Sequence, residues 1–126
     1  MAHNPHHEHL ISELKQMLKP LLSNSPQAIY VYLDDEHKFC NKKFADLLGY
    51  KSPSEWQKYQ YPVSDVDEKD EKKAIKAYME ASEKMKAQSV KGTWVKKNGR
   101  KVKTQITMAP FTYGGEVFVI HYITKT

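Results

Sequence analysis

The chain has 126 residues, 40% apolar and 28% charged, with a formal charge of +5. That length suffices for one domain around one core and not for two ordinary ones, and the composition is that of a folded chain, not a disordered or fibrous one. No apolar run is long enough to span a bilayer, the N-terminus lacks the apolar core of a secretory signal peptide, and the single cysteine, Cys40, excludes an internal disulfide, so a cytoplasmic, reducing location is expected.

The opening MAHNPHHEH carries His3, His6, His7 and His9. Flexible histidine clusters pick up divalent metals, but a functional site needs a fixed geometry. Residues 1–9 are therefore expected to form a flexible tail, and no metal site is expected. From near Glu8, Leu10, Ile11, Leu14, Met17, Leu18, Leu21 and Leu22 recur at helical spacing. Pro20 predicts a kink or a second piece after Lys19. Residues 10–25 thus read as a flanking helix whose apolar stripe has no sequence-local partner. It must pack on the domain's sheet or on a second chain.

AIYVYLD, from Ala28 to Asp34, reads as a strand apolar on both sides, and after an acidic turn His37–Cys40 returns as a second. Asn41 suits the N-cap of the next helix, Phe44, Leu47 and Leu48 its buried face, and Gly49 its left-handed end. Between residues 51 and 66 the chain is turn-rich, with a short helix predicted around Ser54–Tyr59, capped by Ser52 or Ser54. Trp56, Tyr59 and Tyr61 are its expected anchors. A long helix is predicted from Asp67 to Gln88, buried through Ile75, Tyr78, Met79, Ser82 and Met85, with Ala74, Ala77 and Ala81 allowing close approach.

Three strands follow, at about 90–97, 101–111 and 117–124, with turns at Asn98-Gly99 and Gly114-Gly115 and with Pro110 at an edge or bulge. Lys91, Lys96, Lys97, Arg100, Lys101 and Lys103 cluster here. One arginine and no evident stacking platform argue against specific nucleic-acid binding. Helix, two strands, helices and a three-stranded meander together make an antiparallel sheet with helices on one face. Tyr30, Tyr32, Phe118, Ile120 and Tyr122 make its other face too apolar for full exposure, although alternation does not fix which set points inward.

Pro26–Tyr50, with Asn41 before a helix ending Leu48-Gly49-Tyr50, resembles the opening of a PAS domain. YPVSDVDE (61–68) resembles the Pro-x-x-Asp segment before that family's long helix, and Gly92–Thr124 its final hairpin and last strand. One departure is Tyr122-Ile123-Thr124, where many members have Asp-Ile-Thr. The resemblance implies an α+β domain over 26–126: a five-stranded antiparallel sheet in the order 2-1-5-4-3, with a ligand cavity between sheet and long helix. It also implies a sensory or regulatory module in signal transduction, acting by binding a small ligand or a protein partner.

No catalytic residues stand out. Asp46, Asp65 and Asp67 are expected near solvent, His37 on the surface, His121 packed, and Cys40 structural. Haem is not expected, because the 67–88 helix has no histidine; nor is flavin, because Lys42, not cysteine, follows Asn41. Candidate cavity residues are Tyr30, Tyr32, Trp56, Tyr78, Met79 and Trp94, which combine apolar bulk with polar atoms. A stand-alone carrier or scavenger of a small apolar metabolite is the second reading, and a small α+β enzyme the third. The unmet helical stripe and outer sheet face predict a homodimer.

Overall fold

A computed structural model of the chain describes residues 5–58 and 66–126. Tyr59, Tyr61, Asp65 and His3 lie outside the described residues. The elements are α1 (Pro5–Met17), α2 (Lys19–Asn24), β1 (Ala28–Asp34), β2 (His37–Cys40), α3 (Lys42–Leu48), α4 (Pro53–Gln57), α5 (Glu68–Lys84), β3 (Gln88–Val95), β4 (Lys101–Tyr113) and β5 (Glu116–Lys125). All strand pairs are antiparallel, in the order β2-β1-β5-β4-β3.

The central pairing sets Tyr30 opposite His121, Val31 opposite Ile120 and Tyr32 opposite Val119. Because strand side chains alternate, this register assigns the two faces. Tyr30, Tyr32, Val119 and Ile123 join the core under α3, α4 and α5. Val31, Leu33, Phe39 and Phe118 join a second core under α1, with Ile120 packed against it. Tyr30 and Tyr32 therefore point away from the face that carries Phe118 and Ile120.

Helix α1 begins at Pro5, earlier than its apolar stripe, so His6, His7 and His9 are on helical turns. Leu10 and Leu14 bury against the outer face of the chain's own sheet. Pro20 sits in the first turn of α2, and the break falls at Leu18, whose carbonyl still accepts from Leu22 N at 3.0 Å. Close packing of α1 is set by Gly114. A Cβ there would collide with the Leu10 side chain, and its φ of 58° already favours glycine.

Asn41 joins the two halves of the fold. Its Oδ1 accepts from Phe44 N and Ile29 N, each at 3.0 Å, and its Nδ2 donates to Gln27 O at 2.9 Å. One side chain thus caps α3 and pins it to the start of β1. Gly49, at φ 83°, ends the helix, and Tyr50 N returns to Ala45 O at 2.9 Å. Ser52 caps α4 by accepting from Glu55 N at 3.2 Å.

Helix α5 departs from expectation. Its buried residues are Ala74, Ala77 and Ala81, whereas Ile75 is 40% exposed, Met79 48% and Met85 47%. Residues with only a Cβ allow the helix backbone to come down on the sheet, which displaces the longer side chains to its flank. The helix also stops short of Gln88, since Met85 takes the left-handed conformation at φ 53°. In β4, Met108 is the last residue paired with β3, so Pro110 lies where that side of the strand is open.

Asn41→Ala should lower stability by about 2–3 kcal/mol, since it removes a helix cap and leaves Ile29 N buried without its partner. Urea denaturation measures this. A loss below about 0.5 kcal/mol would mean that the capping network is not what joins α3 to β1.

Candidate functional site

Between the inner face of the sheet and α5 lies a cavity of about 310 Å³. Its walls come from β1 (Tyr30, Tyr32), α5 (Ala74, Ile75, Tyr78, Met79), β3 (Trp94), β4 (Ile106, Met108) and β5 (His121), with Asp35 and Val66 at its border. The small face of α5 explains the space: the alanines touch down, and the cavity opens on the side where Ile75 and Met79 stand.

Five of the six sequence candidates meet here: Tyr30, Tyr32, Tyr78, Met79 and Trp94. Trp56 does not. It is fully buried behind the wall, edge-on to Phe44 at 5.1 Å and 5.3 Å from Tyr30. Of the polar side chains in the lining, His121 and Asp35 are the ones that sequence reasoning missed. For His121 the available signal was an imidazole within a largely apolar strand, two residues from Val119 and from Ile123 and so on their face. Asp35 gave no signal beyond its place in an acidic turn.

His121 stacks on Tyr30 with ring centroids 3.9 Å apart and planes at 11°. Tyr78 runs nearly parallel to it at 13°, with centroids 6.4 Å apart. The imidazole is hydrogen-bonded to the backbone, Nδ1 lying 3.2 Å from Val119 O. Complete burial pushes its pKa from the ordinary 6.5 down to about 3, a hydrogen-bonding backbone only partly opposing this, so the ring is neutral.

At the polar border the Tyr32 hydroxyl donates to Asp35 Oδ1 at 2.6 Å. Burial, and then that bond, raise the Tyr32 phenol far above its usual range; burial likewise raises Tyr78. Both hydroxyls therefore stay protonated donors at neutral pH. Trp94 Nε1 is buried and has no hydrogen-bond partner among the described residues. Among the described residues the cavity thus offers flat aromatic faces, neutral donors and one carboxylate, Asp35.

The other residues singled out lie elsewhere. Cys40 is buried in β2, outside the cavity lining, and desolvation pushes its thiol up to about 12. Asp46 is solvated and paired with Lys42 at 3.0 Å. Asp67, expected near solvent, has a largely buried side chain 3.1 Å from Lys101 Nζ. His37, expected on the surface, is only 7% exposed, with Nδ1 2.7 Å from Asp34 Oδ1.

No protein-family model and no curated protein sequence matches the chain. Solved structures do. A PAS domain from a two-component sensor histidine kinase superposes with a TM-score of 0.69 at 16% identity, covering 91% of this chain and 99% of that one. The PAS domain of an HTR-like protein from Haloarcula marismortui gives 0.63 at 19% identity, covering 98% and 100%. A LOV protein from Rhodobacter sphaeroides gives 0.72 at 12% identity, covering 90% and 67%. The chain has the PAS fold.

A depressed His121 pKa makes folding pH-dependent. Between about pH 6.5 and 3 the unfolded chain binds a proton that the folded one refuses, so this contribution to stability is lost as pH falls. From pH 7 to 5 the loss attributable to His121 should be about 2 kcal/mol by urea denaturation. His121→Leu should remove that part of the slope. An unchanged pH dependence in this variant would show that His121 is not held neutral.

Proposed function

We propose that this chain is a sensory or regulatory module of the PAS fold that receives a small, flat, largely apolar molecule in the cavity beneath α5 and signals through protein association, not turnover. The observation that carries this reading is the pairing of a space of about 310 Å³ with aromatic walls and a buried indole N–H, Trp94 Nε1, that has no hydrogen-bond partner among the described residues. A planar ligand matches the near-parallel Tyr30, His121 and Tyr78 rings. Trp94 Nε1 can donate to an acceptor on such a ligand, and the Asp35 carboxylate can accept from a donor at its other end.

Turnover finds no support in these groups. His121 is neutral and hydrogen-bonded to backbone, and Asp35 is occupied by Tyr32. Among the described residues the cavity lining holds no serine, threonine, cysteine or lysine for either group to activate. Flavin adduct chemistry finds none either, because the only cysteine is buried outside the cavity. Helix α5 offers no histidine to haem iron. On the hairpin, Lys97 binds Glu55 at 2.7 Å and Lys101 lies 3.1 Å from Asp67, so part of the basic cluster holds the fold together and does not favour specific nucleic-acid binding.

A second copy of the chain is the proposed first partner. With α1 lying on its own sheet, the exposed large apolar residues of α1 and α2 are Met17, 59% exposed, and Leu21, 39% exposed, and the outer face of β5 keeps Ile120 and Tyr122 half-buried. A two-fold contact between copies would cover this patch symmetrically.

Two experiments test the proposal. Native mass spectrometry and absorption spectroscopy of gently purified protein should show a small bound molecule but no Soret or flavin band, and Ala74→Phe, which fills the cavity, should lose the added mass while remaining folded. A ligand-free mass together with no thermal shift across a set of planar aromatic compounds would overturn the ligand reading. Sedimentation equilibrium should find a dimer that dissociates in the Leu21→Glu, Ile120→Glu double variant. A monomer at tens of micromolar would end the dimer reading.

A further inference from the structure

Away from the cavity, where α1 crosses the β1–β2 turn, two imidazoles converge on one carboxylate. His7 Nδ1 lies 2.9 Å from Asp34 Oδ2, and His37 Nδ1 lies 2.7 Å from Asp34 Oδ1. The rings meet edge to face at 5.5 Å. One donor atom from each of the three residues falls within 4.8 Å of the others. Histidines in a flexible tail would have no such geometry; helix α1 supplies it by carrying His7 onto the sheet.

The geometry points to a divalent-metal site formed by His7, Asp34 and His37, taking Zn²⁺ or a similar borderline cation and tying the first turns of α1 to the sheet. Three features support it. First, two imidazoles and a carboxylate suit zinc, copper, nickel and iron over magnesium or calcium. Second, the ligands are already oriented. Asp34 is held by Glu36 N at 3.0 Å and His37 N at 2.9 Å, and His7 Nε2 lies 3.3 Å from Glu116 Oε1. When an ion takes the lone pair of His7 Nδ1, the ring's proton sits on Nε2 and is donated to Glu116, a carboxylate supporting a histidine ligand from behind.

Third, the site is enclosed but reachable: the side chains of His7, Asp34 and His37 are 20%, 39% and 8% exposed. Metal–donor bonds of 2.0–2.1 Å put tetrahedral donors about 3.3 Å apart, so closure requires side-chain movement of no more than about 1.5 Å. Water takes the fourth position. At each histidine the ion takes the place of hydrogen at Nδ1, and the ring carries its proton on Nε2.

The same contacts would serve as a simple hydrogen-bonded clamp without any ion, and titration separates the two. Zn²⁺ added to the chelator-treated full chain and followed by calorimetry should bind once per chain and raise the melting temperature, whereas Mg²⁺ should do neither. His7→Ala should weaken Zn²⁺ binding at least tenfold, and Glu116→Gln about tenfold. Because Asp34 and His37 also shape the turn, the decisive variants are these two, on the first turns of α1 and at the rim, with folding checked by circular dichroism. A triple variant changing His3, His6 and His9 to Ala should bind as the parent does. Binding that survives His7→Ala, binding that disappears in the triple variant, or no binding up to millimolar Zn²⁺ overturns the site.

Discussion

A five-stranded sheet that is apolar on both faces has to be covered twice, and the rest of this molecule follows from how the two covers differ. Each large aliphatic side chain removed from water contributes about 1.5–3 kcal/mol, so leaving either face open would cost more than a small domain can spare. The outer face receives α1, a leucine-lined helix that seats Leu10 and Leu14 among Val31, Phe39 and Phe118. The inner face receives α3, α4 and α5, organised around Asn41, Phe44 and Trp56.

The covers are unequal in fit. Helix α1 brings long side chains and fills its interface; α5 brings alanines, approaches closely along one line and leaves space beside it. The cavity is thus a packing consequence of Ala74, Ala77 and Ala81, and its chemistry is that of the inward strand residues. Tyr30, Tyr32 and His121 point into it because β1 and β5 pair in a single register, which also sends Val31 and Ile120 the other way. A slip of one residue would exchange the two sets and destroy the cavity and the outer core together.

Much of this was legible in the chain. Gly49 and the Asn98-Gly99 and Gly114-Gly115 turns act through backbone conformation, and Asn41 and Ser52 cap the helix that directly follows, so these effects are local and readable. The resemblance over residues 26–124 supplied the sheet order, which pattern alone could not. Three things were hidden because they depend on tertiary contact. The buried face of α5 is its small face, since apolar periodicity weights Ile75 and Met79 above alanine, whereas proximity to the sheet favours alanine. His121 joins the cavity only through the β1–β5 register. His7 meets Asp34 across 27 residues of sequence, with His37 beside it, and nothing in a histidine-rich opening tells which ring will find a partner.

What the whole arrangement rests on is that α1 covers the chain's own sheet, leaving the inner face to α3, α4, α5 and the cavity. Isotope-filtered NOE spectroscopy on a mixture of labelled and unlabelled chains tests this directly. Contacts from the methyl groups of Leu10 and Leu14 to Val31 and Phe118 are expected within one chain. Finding those contacts only between labelled and unlabelled chains would show that the helix is exchanged between protomers and would contradict a cover built from the chain's own helix.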